Sequence, residues 1–128
     1  MLVYLDSSAV MRLVDDPGES ASLLRYIGRE ATVVSCRIAE ADLWWRVSRS
    51  AGLAEAATAI RAALSIREVD STLIRSAATL KSQDVDLEGA LHLAAALELR
   101  AQLDGYVTYD TAQAAAARAL RLPVVSPA

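Results

Sequence analysis

Cysteine, histidine and lysine occur once each among the 128 residues, as Cys36, His92 and Lys81. A single cysteine excludes an internal disulfide and a cysteine-based zinc site. No apolar run approaches the ~18 residues of a membrane-spanning helix, and the start carries no basic-then-apolar signal pattern. A soluble, cytoplasmic protein with no membrane anchor is the expectation. No glycine-rich phosphate loop is present, which argues against a nucleotide-binding enzyme. Linkers, repeats and low-complexity tails are missing too, so residues 1–128 read as one domain around one core. Nor is there an excess of basic charge. The net charge of −3 argues against indiscriminate coating of nucleic acid. A nuclease stays open, because carboxylates that hold metal ions count as negative until the metal arrives.

What is abundant is apolar surface: 54% of the residues are hydrophobic, and alanine dominates. That composition suits a helix-heavy globular protein. The opening run Leu2-Val3-Tyr4-Leu5 reads as a short strand covered on both faces, ended by Asp6-Ser7-Ser8. Ser7 or Ser8 is a good N-cap for the helix that follows from Ala9 to Val14. Asp15 to Gly18 is a turn, and Glu19 to Glu30 resumes a helical pattern. Thr32 to Ser35 is a second strand, followed by a helix from Cys36 to Ala51 that ends at Gly52. Leu53 to Ser65 is again helical, and Ile66 to Val69 reads weakly as a strand. Asp70 or Ser71 can cap a helix running to about Gln83, and another begins near Glu88. Gly105 to Tyr109 is a strand closed by Asp110, a helix covers Thr111 to Leu120, and Pro123 to Val125 forms a last edge strand. This alternation predicts an α/β fold: a parallel sheet of four to five short strands flanked by about seven helices.

Three acids stand out in that frame. Asp6 and Asp110 each close a strand just before a helix, so in a parallel sheet both lie at its carboxyl edge, where such sheets bind ligands. Glu40 follows the second strand, with apolar Trp44 and Val47 at helical spacing. Half-buried carboxylates are costly unless paired or bound to a cation, and oxygen ligands favour Mg2+ or Mn2+. Metal-assisted phosphodiester hydrolysis is a common use of such a cluster. On spacing alone, two helix caps and one solvated glutamate account for the pattern more simply.

Four segments then change the weighting. Tyr4-Leu5-Asp6-Ser7-Ser8-Ala9, Ser35-Cys36-Arg37-Ile38-Ala39-Glu40, Leu91-His92-Leu93-Ala94-Ala95-Ala96 and Val107-Thr108-Tyr109-Asp110 stand in order along the chain. Together they resemble the PIN-domain signature, and more closely that of VapC-type toxins of bacterial toxin–antitoxin pairs. The resemblance spans essentially the whole chain. It implies a single PIN-like domain acting as a magnesium-dependent endoribonuclease on RNA, held inactive by a VapB-type antitoxin and usually a homodimer. Asp6, Glu40 and Asp110 match its first, second and fourth acidic positions, and are the expected catalytic and metal-binding residues.

The third position departs from the pattern. The family carries aspartate three residues before the histidine of Leu-His-Leu-Ala, and here that place is Gly89. Glu88 is adjacent, but one helical residue turns a side chain by roughly 100°. Asp86 lies further off, before the helix. Glu88, with its longer side chain, or Asp86 is the available substitute. Without one, metal affinity and turnover fall, so Gly89 reads as an attenuating replacement. The alternative is a catalytically silent PIN domain that acts by binding its antitoxin or RNA.

The remaining polar and aromatic residues are less specific. His92 reads as a packed, hydrogen-bonded core residue and not a metal ligand, and Cys36 as a small buried side chain. Thr108 and Ser8 serve equally as orienting groups or as ordinary strand and cap residues. Trp44 and Trp45 point roughly 100° apart, so one is expected inside and the other at an interface. Arg12, Arg37, Arg46 and Arg49 are candidates for holding RNA phosphates. A phosphoacceptor receiver is excluded: the first strand ends in a single acid, and Lys81 lies within a predicted helix.

Overall fold

The computed structural model describes residues 1–15, 17–81 and 84–128. Among them are five strands and seven helices. These are β1 (Leu2–Leu5), α1 (Ser7–Asp15), α2 (Pro17–Ile27), β2 (Thr32–Cys36), α3 (Arg37–Val47) and α4 (Ala54–Ala63). Then follow β3 (Ser65–Arg67), α5 (Ser71–Ala78), α6 (Leu87–Glu98), β4 (Gly105–Val107), α7 (Thr111–Ala119) and β5 (Val124–Val125). All neighbouring strands pair in parallel, in the order β3-β2-β1-β4-β5. The expected parallel α/β sheet is present. No helix among the described residues is long and apolar enough to cross a membrane.

Strand β1 explains this arrangement. Val3, Tyr4 and Leu5 are fully buried, Val3 and Leu5 in one apolar layer and Tyr4 in the other. Leu5, Ala9, Val10, Leu23, Leu43 and Ala57 form the layer under α1 to α4. Tyr4, Leu73, Leu93, Ala96, Tyr106 and Ala117 form the layer under α5 to α7. With apolar side chains on both faces, β1 can only be central, and the sheet grows outward from it in both directions. The chain builds β2 and β3 on one side, then crosses to β4 on the other. Between β1 and β4 lies the switch point, which opens a crevice at the carboxyl edge.

Caps set most helix starts, and they revise the expected boundaries. Helix α1 begins at Ser7, so its N-cap is Asp6, not Ser7 or Ser8. Asp6 Oδ1 accepts from Ala9 N at 3.0 Å, and its carbonyl accepts from Val10 N at 3.1 Å. Asp110 and Asp86 act alike, accepting from Gln113 N and Gly89 N, each at 2.8 Å. Asp70 caps α5 as expected, through Leu73 N at 2.9 Å. Of the turn expected at Asp15 to Gly18, Asp15 belongs to α1, and Pro17 and Gly18 belong to α2, Pro17 at its first position. Asp16 lies outside the described residues. Helix α3 stops at Val47, four residues early, where Ser48 Oγ donates to the Trp45 carbonyl. Helix α5 ends at Ala78, and the expected terminus at Ser82-Gln83 lies outside the described residues. Replacing Asp70 by alanine removes a cap remote from the crevice. Urea unfolding should show a lower midpoint for Asp70→Ala and a midpoint close to wild type for Asp70→Asn, which keeps the cap.

Candidate active site

Register places the two strand-end carboxylates together. Leu5 pairs with Val107, and Asp6 N donates to the Val107 carbonyl at 3.1 Å, so Asp6 stands beside Thr108 and within reach of Asp110. Asp6 is 4% exposed. Ser8 Oγ donates to its Oδ1 at 2.6 Å and itself accepts from Tyr109 N at 2.8 Å. Thr108, fully buried, hydrogen-bonds Asp6 and accepts from Asp110 N at 3.1 Å. Both hydroxyls are therefore orienting groups. Burial raises the Asp6 carboxyl above its ordinary range and Asp110 adds to this, while Ser8, Thr108 and Ala9 N oppose it.

Helix α6 closes the crevice. A cavity of about 200 Å³ is lined by Asp6, Ser7, Ser8, Asp86, Glu88, Gly89, His92, Asp110 and Gln113. Four of these are acids and none is a cation. Glu88 lines this cavity beside Gly89, and Ser7 Oγ donates to its Oε1 at 2.7 Å. Its carboxyl also meets Asp42 from α3. Burial and that facing carboxylate raise Glu88 to about 7. Asp86 lines the cavity but spends one oxygen on the α6 cap.

Glu40 does not join them. It lies at 16% side-chain exposure between Arg37 and Arg61, accepting from Arg61 Nε at 2.8 Å, from Arg37, and from Trp44 Nε1 at 3.3 Å. These donors outweigh a desolvation that would raise it, and hold its carboxyl below the ordinary range. Two residues further along α3, Asp42 points the other way, towards Glu88. Ala39 and Leu43 are the buried stripe of this helix, and Glu40 and Asp42 fall on opposite flanks of it. Asp42 is the acid that the sequence reading passed over. Its signal was the spacing to Ile38, four residues earlier, which packs with the α6 layer.

His92 is a core residue, as expected. It is 1% exposed, with Nδ1 2.7 Å from the Tyr4 hydroxyl and Nε2 2.8 Å from Ser7 Oγ. Both ring nitrogens are occupied, and burial lowers its pKa to about 4. Cys36 is buried at the start of α3 without a side-chain cap bond. The expectation that one tryptophan enters the core fails. Trp44 and Trp45 are 37% and 64% exposed, because α3 buries Ala39 and Leu43 instead. The candidate arginines are engaged within the chain. Arg12 lies 3.6 Å over the Tyr109 ring, Arg37 pairs with Glu40 and Glu68, Arg46 with Asp15, and Arg49 stacks on Trp45.

Comparison with known proteins decides the family. The PIN-domain model matches residues 3–125. The chain is a PIN domain. Ribonuclease VapC46 of Mycobacterium tuberculosis (strain ATCC 25618 / H37Rv) is 30% identical over 126 residues, 98% of this chain and 97% of that protein. A toxin–antitoxin complex from Klebsiella pneumoniae superposes with a TM-score of 0.74 at 16% identity, over 98% of each chain. VapBC2 from Rickettsia felis, bound to a DNA fragment from its promoter, gives 0.70 at 14% identity over 100% of each chain. At these identities the two structures show the fold that the PIN domain shares with them.

Proposed function

We propose that this PIN domain is the toxin of a VapBC-type pair, an endoribonuclease that depends on Mg2+, with Mn2+ able to replace it. The supporting observation is the crevice itself. Asp6 and Asp110, from adjacent strand ends, face Glu88 across a cavity that no cationic side chain lines. An all-oxygen carboxylate set suits a hard divalent ion, and the one nearby imidazole has both nitrogens committed. Among the described residues no three such side chains are gathered tightly enough to hold an ion as they stand, so the site is an open acidic cavity. Asp6, Asp110 and Glu88 would hold the cation, with Asp42 backing Glu88. A bound divalent ion lowers the pKa of water and steadies charge on the phosphate. The chain's own part is to fix the carboxylates: Ser8 and Thr108 hold Asp6, Ser7 holds Glu88, and Thr108 holds the backbone at Asp110.

The proposed partner is a VapB-type antitoxin, and the toxin is proposed to be a homodimer acting on RNA in the cytoplasm. An apolar groove of about 590 Å³ between α2 and α4, lined by Leu13, Leu24, Ile27, Ala56, Ile60 and Ala63, supports a protein partner. Leu24 on its rim is 56% exposed. Incubating the purified chain, freed of antitoxin, with total RNA across a Mg2+ series tests the activity. Cleavage should rise with Mg2+, stop on chelation and be suppressed by added antitoxin. Cleavage indifferent to chelation would remove the metal-dependent reading, and none at any Mg2+ concentration would favour the silent, binding-only PIN domain.

A further inference from the structure

Gly89 has no backbone reason to be glycine, since the positive φ angles among the chain's glycines belong to Gly28 and Gly52. Its surroundings supply the reason. A Cβ at position 89 would stand 2.3 Å from Gln113 Oε1, 3.2 Å from Val85 Cβ and 3.3 Å from Asp86 Oδ1. Gln113 is in the first turn of α7, three residues after Asp110, and is 5% exposed. Its Nε2 donates to the Gly89 carbonyl and contacts the Tyr106 hydroxyl, both at 2.8 Å. A backbone carbonyl can only accept, so the amide orientation is fixed, with nitrogen on the Gly89 carbonyl and Oε1 in the space that a Cβ at 89 would take. Oε1 accepts no hydrogen bond from a described residue. No buried side-chain oxygen among the described residues lacks a partner, so Oε1 is open to solvent through the cavity that Gln113 lines.

We infer that Gly89 and Gln113 are one unit, in which Gln113 fills the volume of a side chain at 89 and presents Oε1 to the cavity as a neutral oxygen donor. This rests on the reading of the cavity as a divalent-cation site. An amide oxygen is an acceptable ligand for a hard cation, and it adds no charge to the repulsion among Asp6, Glu88 and Asp110. It follows that aspartate at position 89 does not simply restore a missing carboxylate. Its Cβ displaces the Gln113 amide and breaks the hydrogen bonds to Gly89 and Tyr106.

A variant cycle read by Mn2+ calorimetry and thermal unfolding tests this. Gln113→Ala should weaken Mn2+ binding about tenfold, and Gly89→Ala should do the same by pushing Oε1 aside. The double variant should be no weaker than either single one. Gly89→Ala should lower Tm when Gln113 is present, and should not when Gln113 is alanine. Gly89→Asp should tighten Mn2+ only in the Gln113→Ala background. Additive effects on Kd and Tm would show two independent positions and overturn the inference. Asp6→Asn separates the two levels. Mn2+ binding lost in Asp6→Asn but intact in Gln113→Ala overturns the donor role alone. Binding intact in both overturns the cation-site reading as well.

Discussion

Asp6→Asn should reduce RNA cleavage by about 10³-fold, roughly 4 kcal/mol of barrier at 1.4 kcal/mol per decade, while the fold persists. The asparagine oxygen can still accept from Ser8 Oγ and Ala9 N, the bonds that cap α1. What disappears is one charge at the most buried of the crevice acids. Burial already disfavours that charge, and Ser8, Thr108 and Ala9 N hold it in place, a set of bonds far more elaborate than a helix cap requires. Asp110→Asn should behave similarly, because it too keeps its cap. Glu40→Gln is the informative contrast. Its carboxylate is held by Arg37 and Arg61 outside the cavity, so cleavage should change by no more than a few-fold. Initial rates at saturating Mg2+, beside circular dichroism, compare the three. A Glu40→Gln loss as deep as that of Asp6→Asn would return Glu40 to the site and displace Asp42 and Glu88 from it.

The contrast between these acids shows what a linear chain discloses. Asp6 and Asp110 were legible because a strand of apolar residues that ends in aspartate before a helix fixes both the place and the direction of that carboxylate. The parallel sheet was legible for the same reason. Its order was not, because β1 meets β4 across about 100 residues and only three-dimensional packing chooses that neighbour. Glu40 and Asp42 differ by two positions on one helix, a turn of about 200°, and the sequence offered Trp44 as a guide to the inward face. Both tryptophans proved exposed, so that guide pointed to the arginine side. The dual placement of aspartate was also hidden: cap and site appeared as alternatives, yet Asp6 and Asp110 each cap a helix and also line the crevice. Gln113 could not have been found, since its relation to Gly89 exists only where α6 and α7 meet.

His92 carries the second large effect, in the pH dependence of stability. Ser7 gives its single hydroxyl proton to Glu88, so Nε2 of His92 must donate to Ser7, and Nδ1 must accept from Tyr4. Hydrogen bonds thus run one way, from Tyr4 through His92 and Ser7 to Glu88, and they specify a neutral imidazole. Charging it would place a proton on Nδ1 against the Tyr4 hydroxyl in a site almost sealed from water. Its folded pKa of about 4 lies below the 6.5 of an unperturbed histidine. As pH falls below 6.5 the unfolded chain takes up the proton first, so this contribution is complete above 6.5 and is lost down to about 4. At 1.36 kcal/mol per pH unit, the loss is about 2 kcal/mol by pH 5 and about 3 kcal/mol in all. Glu88 works in the opposite sense. Its pKa is raised to about 7, so the folded chain binds that proton first and gains stability as pH falls from 7 towards 4.5. The two contributions therefore oppose one another over this range, and the wild-type curve alone does not separate them. Urea unfolding of wild type and His92→Gln at pH 7 and pH 5 uncovers the histidine. Wild type should lose about 2 kcal/mol relative to the variant between the two pH values. A difference independent of pH would mean that His92 titrates alike in the folded and unfolded chain, and the one-way chain into Glu88 would have to be abandoned.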